Sequence, residues 1–223
     1  MSHRSIAIDG PCGAGKSTLA KKLAEALGFL YVDTGAIYRT VGLYAHRRGV
    51  DTRDAAAVAA LLTGIRIELA YGEDGLQHMR LNGEDVTGAI REHEISACAS
   101  DVAAVPAVRA FLLEMQRKCA REHSVVMDGR DIGTTVLPEA DVKIYLTAAP
   151  EVRARRRYDE LLRRGQSADY GRVLADVVAR DEEDMNRAVS PLRKAEDAVV
   201  VDTTGLDFDQ SLARLVELCG EAK

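Results

Sequence analysis

The stretch IAIDGPCGAGKSTLAKKLAEAL, Ile6 to Leu27, carries three patterns in one line. β-Branched and apolar residues lead into a glycine-rich loop, and the loop opens into a helical repeat. Gly10, Pro11, Cys12, Gly13, Ala14, Gly15, Lys16 and Ser17 fit G-x-x-x-x-G-K-[ST] in full, with Thr18 next in line. The glycines let the backbone curl until several N–H groups face one phosphate, and the helix adds its positive N-terminal end. Lys16 has the reach for β- and γ-phosphates, and Ser17 offers a hydroxyl to Mg2+. A strand before and a helix after are the context this motif demands. The loop therefore predicts a bound nucleoside triphosphate.

Outward from the loop, short apolar runs alternate with helical sequence. SIAID (5–9) predicts a buried strand, and Ser17–Leu27 a helix ending at Gly28. FLYVD (29–33) is the next strand, followed by a helix over 35–46. SVVMDG (124–129), VKIYLTA (142–148) and AVVVDTT (198–204) complete a set of five. Such alternation predicts an α/β P-loop fold: a five-stranded parallel sheet with helices on both faces. One segment breaks the pattern. After a helix at Asp54–Leu62, residues 64–88 alternate Ile65, Ile67 and Leu69 with polar residues, punctuated by the turn signals GEDG and NGED. A small antiparallel insertion is predicted there. Pro106 then stands at a first helical position.

With 47% hydrophobic and 29% charged residues, the composition is that of a globular chain rather than a disordered one. No apolar run reaches the roughly 18 residues needed to span a bilayer, and MSHRSIAIDG leaves no room for a signal peptide before the first strand. A net charge of -5 argues against a general nucleic-acid binder. Cys12, Cys98, Cys119 and Cys219 form no C-x-x-C pair, which suits free thiols in a reducing cytoplasm.

Four further stretches bear on what receives the phosphate. In VDTGAIYRTVG (32–42), Arg39 sits one turn into a helix, where it could clamp an anion or simply be solvated. In VVMDGRDIGTTVLP (125–138), Asp128 ends a strand at the edge where α/β proteins bind ligands, with Arg130 and Asp131 after it; D-G-R-D is equally compatible with a plain turn. Arg180, Asp184 and Arg187 are spaced i, i+4 and i+7, on one helical face, as a binding surface or a salt-bridge ladder. Arg153, Arg155, Arg156 and Arg157 crowd two turns of PEVRARRRYDELLRRG (150–165). Such crowding repels itself unless an anionic ligand relieves it, and a solvated basic face is the alternative.

Taken together, DGPCGAGKST (9–18), DTGAIYR (33–39), DGRDIGT (128–134) and RDEEDMNRAVSPL (180–192) resemble bacterial cytidylate kinases, within the nucleoside-monophosphate kinases, over essentially the whole chain. The resemblance implies one kinase domain: a core (1–33, 105–150, 171–223), an acceptor-binding region with the insertion (34–104) and an Arg-rich lid (151–170). It implies ATP-dependent phosphorylation of CMP and dCMP in pyrimidine nucleotide metabolism, by a cytoplasmic monomer with no nucleic-acid or membrane partner. Thr34, Tyr38, Arg39, Ser100, Arg109, Arg130, Asp131, Arg180, Asp184 and Arg187 would form the CMP site. Within it, Arg39 and Arg130 would meet the phosphate. Ser100, Arg109 and Asp131 would meet cytosine, Arg180 and Asp184 the sugar hydroxyls, and Arg187 phosphate charge. Arg153 and Arg157 would join the loop on ATP. Lys16, Arg130, Arg157 and Arg187 would act on the transferred phosphoryl group. Mg2+ would sit on Ser17, with Asp128 or Asp33 behind water. Cys12 and Thr34 stand where relatives commonly have serine. The rival expectations are a kinase for another small acceptor (UMP, AMP or a non-nucleotide acid) and a slow NTP-dependent switch, although no [NT]-K-x-D motif occurs.

Overall fold

The computed structural model of the protein describes residues 3–72 and 75–221. Five strands, β1 (Ser5–Asp9), β2 (Leu30–Asp33), β6 (Val125–Gly129), β7 (Val142–Thr147) and β8 (Val199–Asp202), form one parallel sheet in the order β2-β6-β1-β7-β8. All five coincide with the predicted runs, within a residue or two at their ends. Ile6, Ala7 and Ile8 of β1 and Val125, Val126 and Met127 of β6 are wholly buried. Continuous apolar runs of this kind mark strands covered on both faces.

The chain divides into two compact units, residues 1–30 with 123–223, and 31–122. The first holds α1 (Lys16–Leu27), a π-helical turn (Ile132–Val136), α6 (Pro150–Arg163), α7 (Tyr170–Asn186) and α8 (Phe208–Glu221). α1 buries Leu19, Ala20, Leu23 and Ala24 along one stripe and stops at Gly28, whose left-handed backbone lets its N–H reach the carbonyls of Ala24 and Glu25. α6 and α7 close on their own cluster of Ala154, Val173 and Val177, edged by Tyr158, Tyr170 and Leu174.

The second unit holds α2 (Thr34–Arg47), α3 (Ala55–Leu61), α4 (His93–Ala103) and α5 (Pro106–Glu122), with the predicted insertion as a three-stranded antiparallel sheet of β3 (Ile67–Tyr71), β4 (Gln77–Leu81) and β5 (Glu84–Asp85). Glu73 and Asp74, the centre of the expected GEDG turn, lie outside the described residues, as do Met1 and Ser2. Asp54 caps α3 by accepting the N–H groups of Ala56 and Ala57. α4 matches no predicted element: Glu92 at its N-cap makes no side-chain capping bond, which leaves the acidic Glu94 in the first turn as a weak start signal. A Cβ on Gly42 would lie 3.0 Å from the Cβ of Cys98 and 3.1 Å from the backbone of Cys98 and Ala99, so a side chain there would press α2 and α4 apart. α5, expected with the core, falls in the second unit because it buries Val108, Arg109 and Leu112 among that unit's helices. Among the described residues, no single helix is long and apolar enough to cross a membrane.

Candidate active site

The phosphate loop leaves β1 at Gly10, where any Cβ would lie 1.9 Å from the carbonyl oxygen of Leu146. The loop can pass β7 only without a side chain there. Gly13 and Gly15 take φ values of 75° and 89°. Lys16 is buried and donates from Nζ to the carbonyl of Pro11 at 2.7 Å. Burial, and then the charge of Arg130, push its amine down to about 7. A phosphate arriving in the loop reverses that pressure. Ser17 Oγ donates to Asp128 Oδ2 at 2.8 Å, joining the hydroxyl to the strand-end carboxylate.

Arg153 underlies this loop. Its guanidinium pairs with Asp181 through both oxygens, at 3.0 and 2.5 Å, and donates to the carbonyls of Cys12 at 3.0 Å and Ala148 at 2.8 Å. Only 3% of the residue is exposed. Arg156 donates to the Thr203 carbonyl at 3.0 Å and to Ala14 at 3.5 Å, and Arg155 lies over the rings of Tyr170 and Tyr158. Arg157, partly exposed, pairs with Glu160 at 2.9 Å. The expectation that crowded arginines fail as a structural helix is corrected: each has its own protein partner, so the helix needs no ligand to relieve it.

The residues of this unit expected at the acceptor gather at the π-helical turn and the end of α7. Arg130 Nε donates to Asp184 Oδ2 at 2.6 Å. Burial raises the Asp184 carboxyl, but Arg130, Arg180 and Arg187 outweigh it and hold it below the usual range. Arg187 is not on the helical face with Arg180 and Asp184, as its spacing suggested. α7 ends at Asn186, and Arg187 turns extended ahead of Ser190-Pro191, a dipeptide that disfavours helix. Its side chain bends back all the same, donating to the Ser190 carbonyl at 2.6 Å and standing 3.8 Å from Asp131 and 3.9 Å from Asp184. Arg180 flanks Cys12 and Asp184, and its Nε is buried with no hydrogen-bond partner among the described residues.

In the second unit, Asp33 caps α2 by accepting the Ala36 N–H at 2.9 Å. Its Oδ2 also takes Arg39 at 2.9 Å and Arg91 at 3.0 Å. Thr34 is buried in the first turn, and one turn on the Tyr38 ring lies 5.5 Å under the guanidinium of Arg109. Arg109 is itself buried and donates to the Ala103 carbonyl at 3.3 Å. Ser100 lies on α4. Gln77 and Arg91 escaped sequence reasoning. A signal existed for the first, since Gln77 is polar on the inward face that Met79 and Leu81 define; Arg91, on a short turn outside any motif, offered none.

The described residues contain no cluster of three or more metal-ligating side chains. An oxygen pair such as Ser17 and Asp128 suits a hard cation that takes its remaining ligands from phosphate and water.

Comparison with known proteins adds the family. Residues 6–221 match the family model described as cytidylate kinase. The chain is 49% identical over 215 residues to a cytidylate kinase of Carboxydothermus hydrogenoformans, covering 96% of each. It is 47% identical over 220 residues to one of Caldicellulosiruptor bescii, covering 98% of this chain and 96% of the other. A solved structure of an uncharacterized protein from Eubacterium ventriosum shares the fold at 14% identity and a TM-score of 0.50, over 98% and 99% of the two chains.

Proposed function

The chain belongs to the cytidylate kinase family, and on that premise we propose that it transfers the γ-phosphoryl group of ATP to CMP and dCMP. The observation that carries the reading is the juxtaposition, within one unit, of the donor loop and the Arg130–Asp131–Asp184–Arg187 constellation. Arg130 lies close enough to Lys16 and Cys12 to shift both.

An oxygen of the CMP phosphate attacks the γ-phosphorus in line, and the bond to the ADP oxygen breaks. A phosphate monoester has a second pKa near 6 and is largely ionised at pH 7, so no general base is needed. Positioning and charge neutralisation do the rest. Loop N–H groups and Lys16 hold the donor phosphates. Arg130 and Arg187 neutralise the transferred group, with Arg39 on the acceptor phosphate and Arg157 reaching ATP from α6. Asp131 accepts from the cytosine amine, with Ser100 and Arg109 as donors to the ring. Arg180 and Asp184 take the sugar hydroxyls. Arg153 serves ATP through the loop backbone, by its bond to the Cys12 carbonyl. Ser17, backed by Asp128, would hold Mg2+, which would supply charge neutralisation to the donor phosphates. We read the enzyme as a monomer acting in the cytoplasmic nucleotide pool.

Coupled ADP release, measured with ATP against CMP, dCMP, UMP and AMP, tests the reading. Turnover fastest with CMP or dCMP is expected; faster turnover of UMP or AMP would overturn it, and acceptor-independent hydrolysis would favour a switch.

A further inference from the structure

Asp9 is a buried carboxylate that the reaction above does not use. It ends β1, one residue before the phosphate loop, and no ion pair to it exists among the described residues. Its oxygens are spent on two consecutive backbone donors: Oδ1 accepts the Ile132 N–H at 2.8 Å, and Oδ2 accepts the Gly133 N–H at 2.7 Å. These are the opening N–H groups of the π-helical turn, and Asp131 is its N-cap residue. A helical turn leaves its first donors without internal partners, and a carboxylate is the strongest neutral-pH acceptor for them. The fit is close on the other side too. A Cβ on Gly133 would lie 3.4 Å from Asp9 Oδ2 and 3.2 Å from Lys143 Cδ. The amine of Lys143 is turned away, to Asp197 at 2.8 Å. Burial raises the Asp9 carboxyl to about 6 against the pull of the two backbone bonds, a cost that a merely structural site could avoid with a neutral residue.

We propose that Asp9 is a positioning residue for acceptor specificity: it pins the Ile132–Gly133 peptides and so sets where Asp131 presents its carboxylate. Because the backbone of Asp9 runs straight into Gly10, one residue joins the donor loop to the turn that reads the acceptor. The inference rests on the reading of Asp131 as the cytosine contact.

Steady-state kinetics on Asp9→Asn, Gly133→Ala and Asp131→Ala, with ATP and CMP each varied and UMP as competitor, test it. Asparagine keeps the volume but loses one acceptor, while Gly133→Ala sets a methyl against Asp9 Oδ2 and the Lys143 side chain with Asp9 intact, so the test survives if one variant folds poorly. KM for CMP should rise about ten-fold or more in all three, with KM for ATP within about three-fold and the preference for CMP over UMP reduced. Normal CMP kinetics in Asp9→Asn and Gly133→Ala beside an impaired Asp131→Ala would overturn the positioning role. Equal rises for both substrates would overturn it too, by revealing general loosening. Normal CMP kinetics in Asp131→Ala would instead overturn the base-contact reading itself.

Discussion

The side-chain amide of Gln77 holds both main-chain groups of Asp33: Oε1 accepts its N–H at 2.7 Å, and Nε2 donates to its carbonyl at 3.1 Å. A strand of the antiparallel insertion thereby completes the backbone bonding of the residue whose carboxylate anchors Arg39 and Arg91. Replacing Gln77 by leucine leaves two buried backbone groups unpaired at that anchor. KM for CMP is expected to rise about ten-fold, with KM for ATP little changed. An unchanged KM for CMP would show that the insertion does not support the acceptor site.

The buried Arg153–Asp181 pair yields a second expectation. Asp181→Ala strands a guanidinium at 3% exposure and should cost about 3–5 kcal/mol in denaturant unfolding. The double variant Arg153→Met/Asp181→Leu should regain much of that stability yet bind ATP more weakly, because the Cys12 carbonyl has lost its donor. Wild-type ATP affinity in the double variant would contradict the loop-bracing role.

Lys16 makes stability depend on pH. Its amine falls from the ordinary 10.5 to about 7 in the fold. Between those values the native protein has released a proton that the unfolded chain still binds, so stability rises with pH by about 1.4 kcal/mol per unit. Lys16→Met removes this slope. The variant should be more stable than wild type near pH 7 without nucleotide, with the gap closing as pH approaches 10.5. A gap that stays constant across chemical denaturation curves in this range would rule the depressed value out.

The cysteines should differ in reactivity. Burial pushes Cys98 and Cys119 up, and Cys219 to about 11. Burial acts the same way on Cys12, but Arg180, Arg130 and Lys16 outweigh it and hold that thiol below its ordinary value. Since the thiolate is the reactive form, iodoacetamide at about pH 7.5 should label Cys12 first. ATP should slow the labelling, and so should Arg180→Gln. Peptide mapping that finds another cysteine labelled first would refute this.

Much of the fold was legible because its signals are local. The apolar runs of the parallel sheet, the alternation at Ile65, Ile67 and Leu69, and the Gly10–Ser17 spacing each express one element's own geometry. α4 was invisible for the same reason, since it begins without a cap. Local spacing also misled at Arg187, where i+7 implied a shared face although the helix had already ended.

By itself, then, the sequence determined the parallel sheet, the antiparallel insertion and the glycine-rich loop between strand and helix, because adjacency and periodicity suffice to specify them. Only the tertiary structure decided how charges are spent. Arg153 is 28 residues from Asp181, Gln77 is 44 from Asp33, and Asp9 is over 120 from the turn it holds. No periodicity reaches that far. Which buried charge meets which donor is settled by packing, once desolvation makes every unpaired polar group costly.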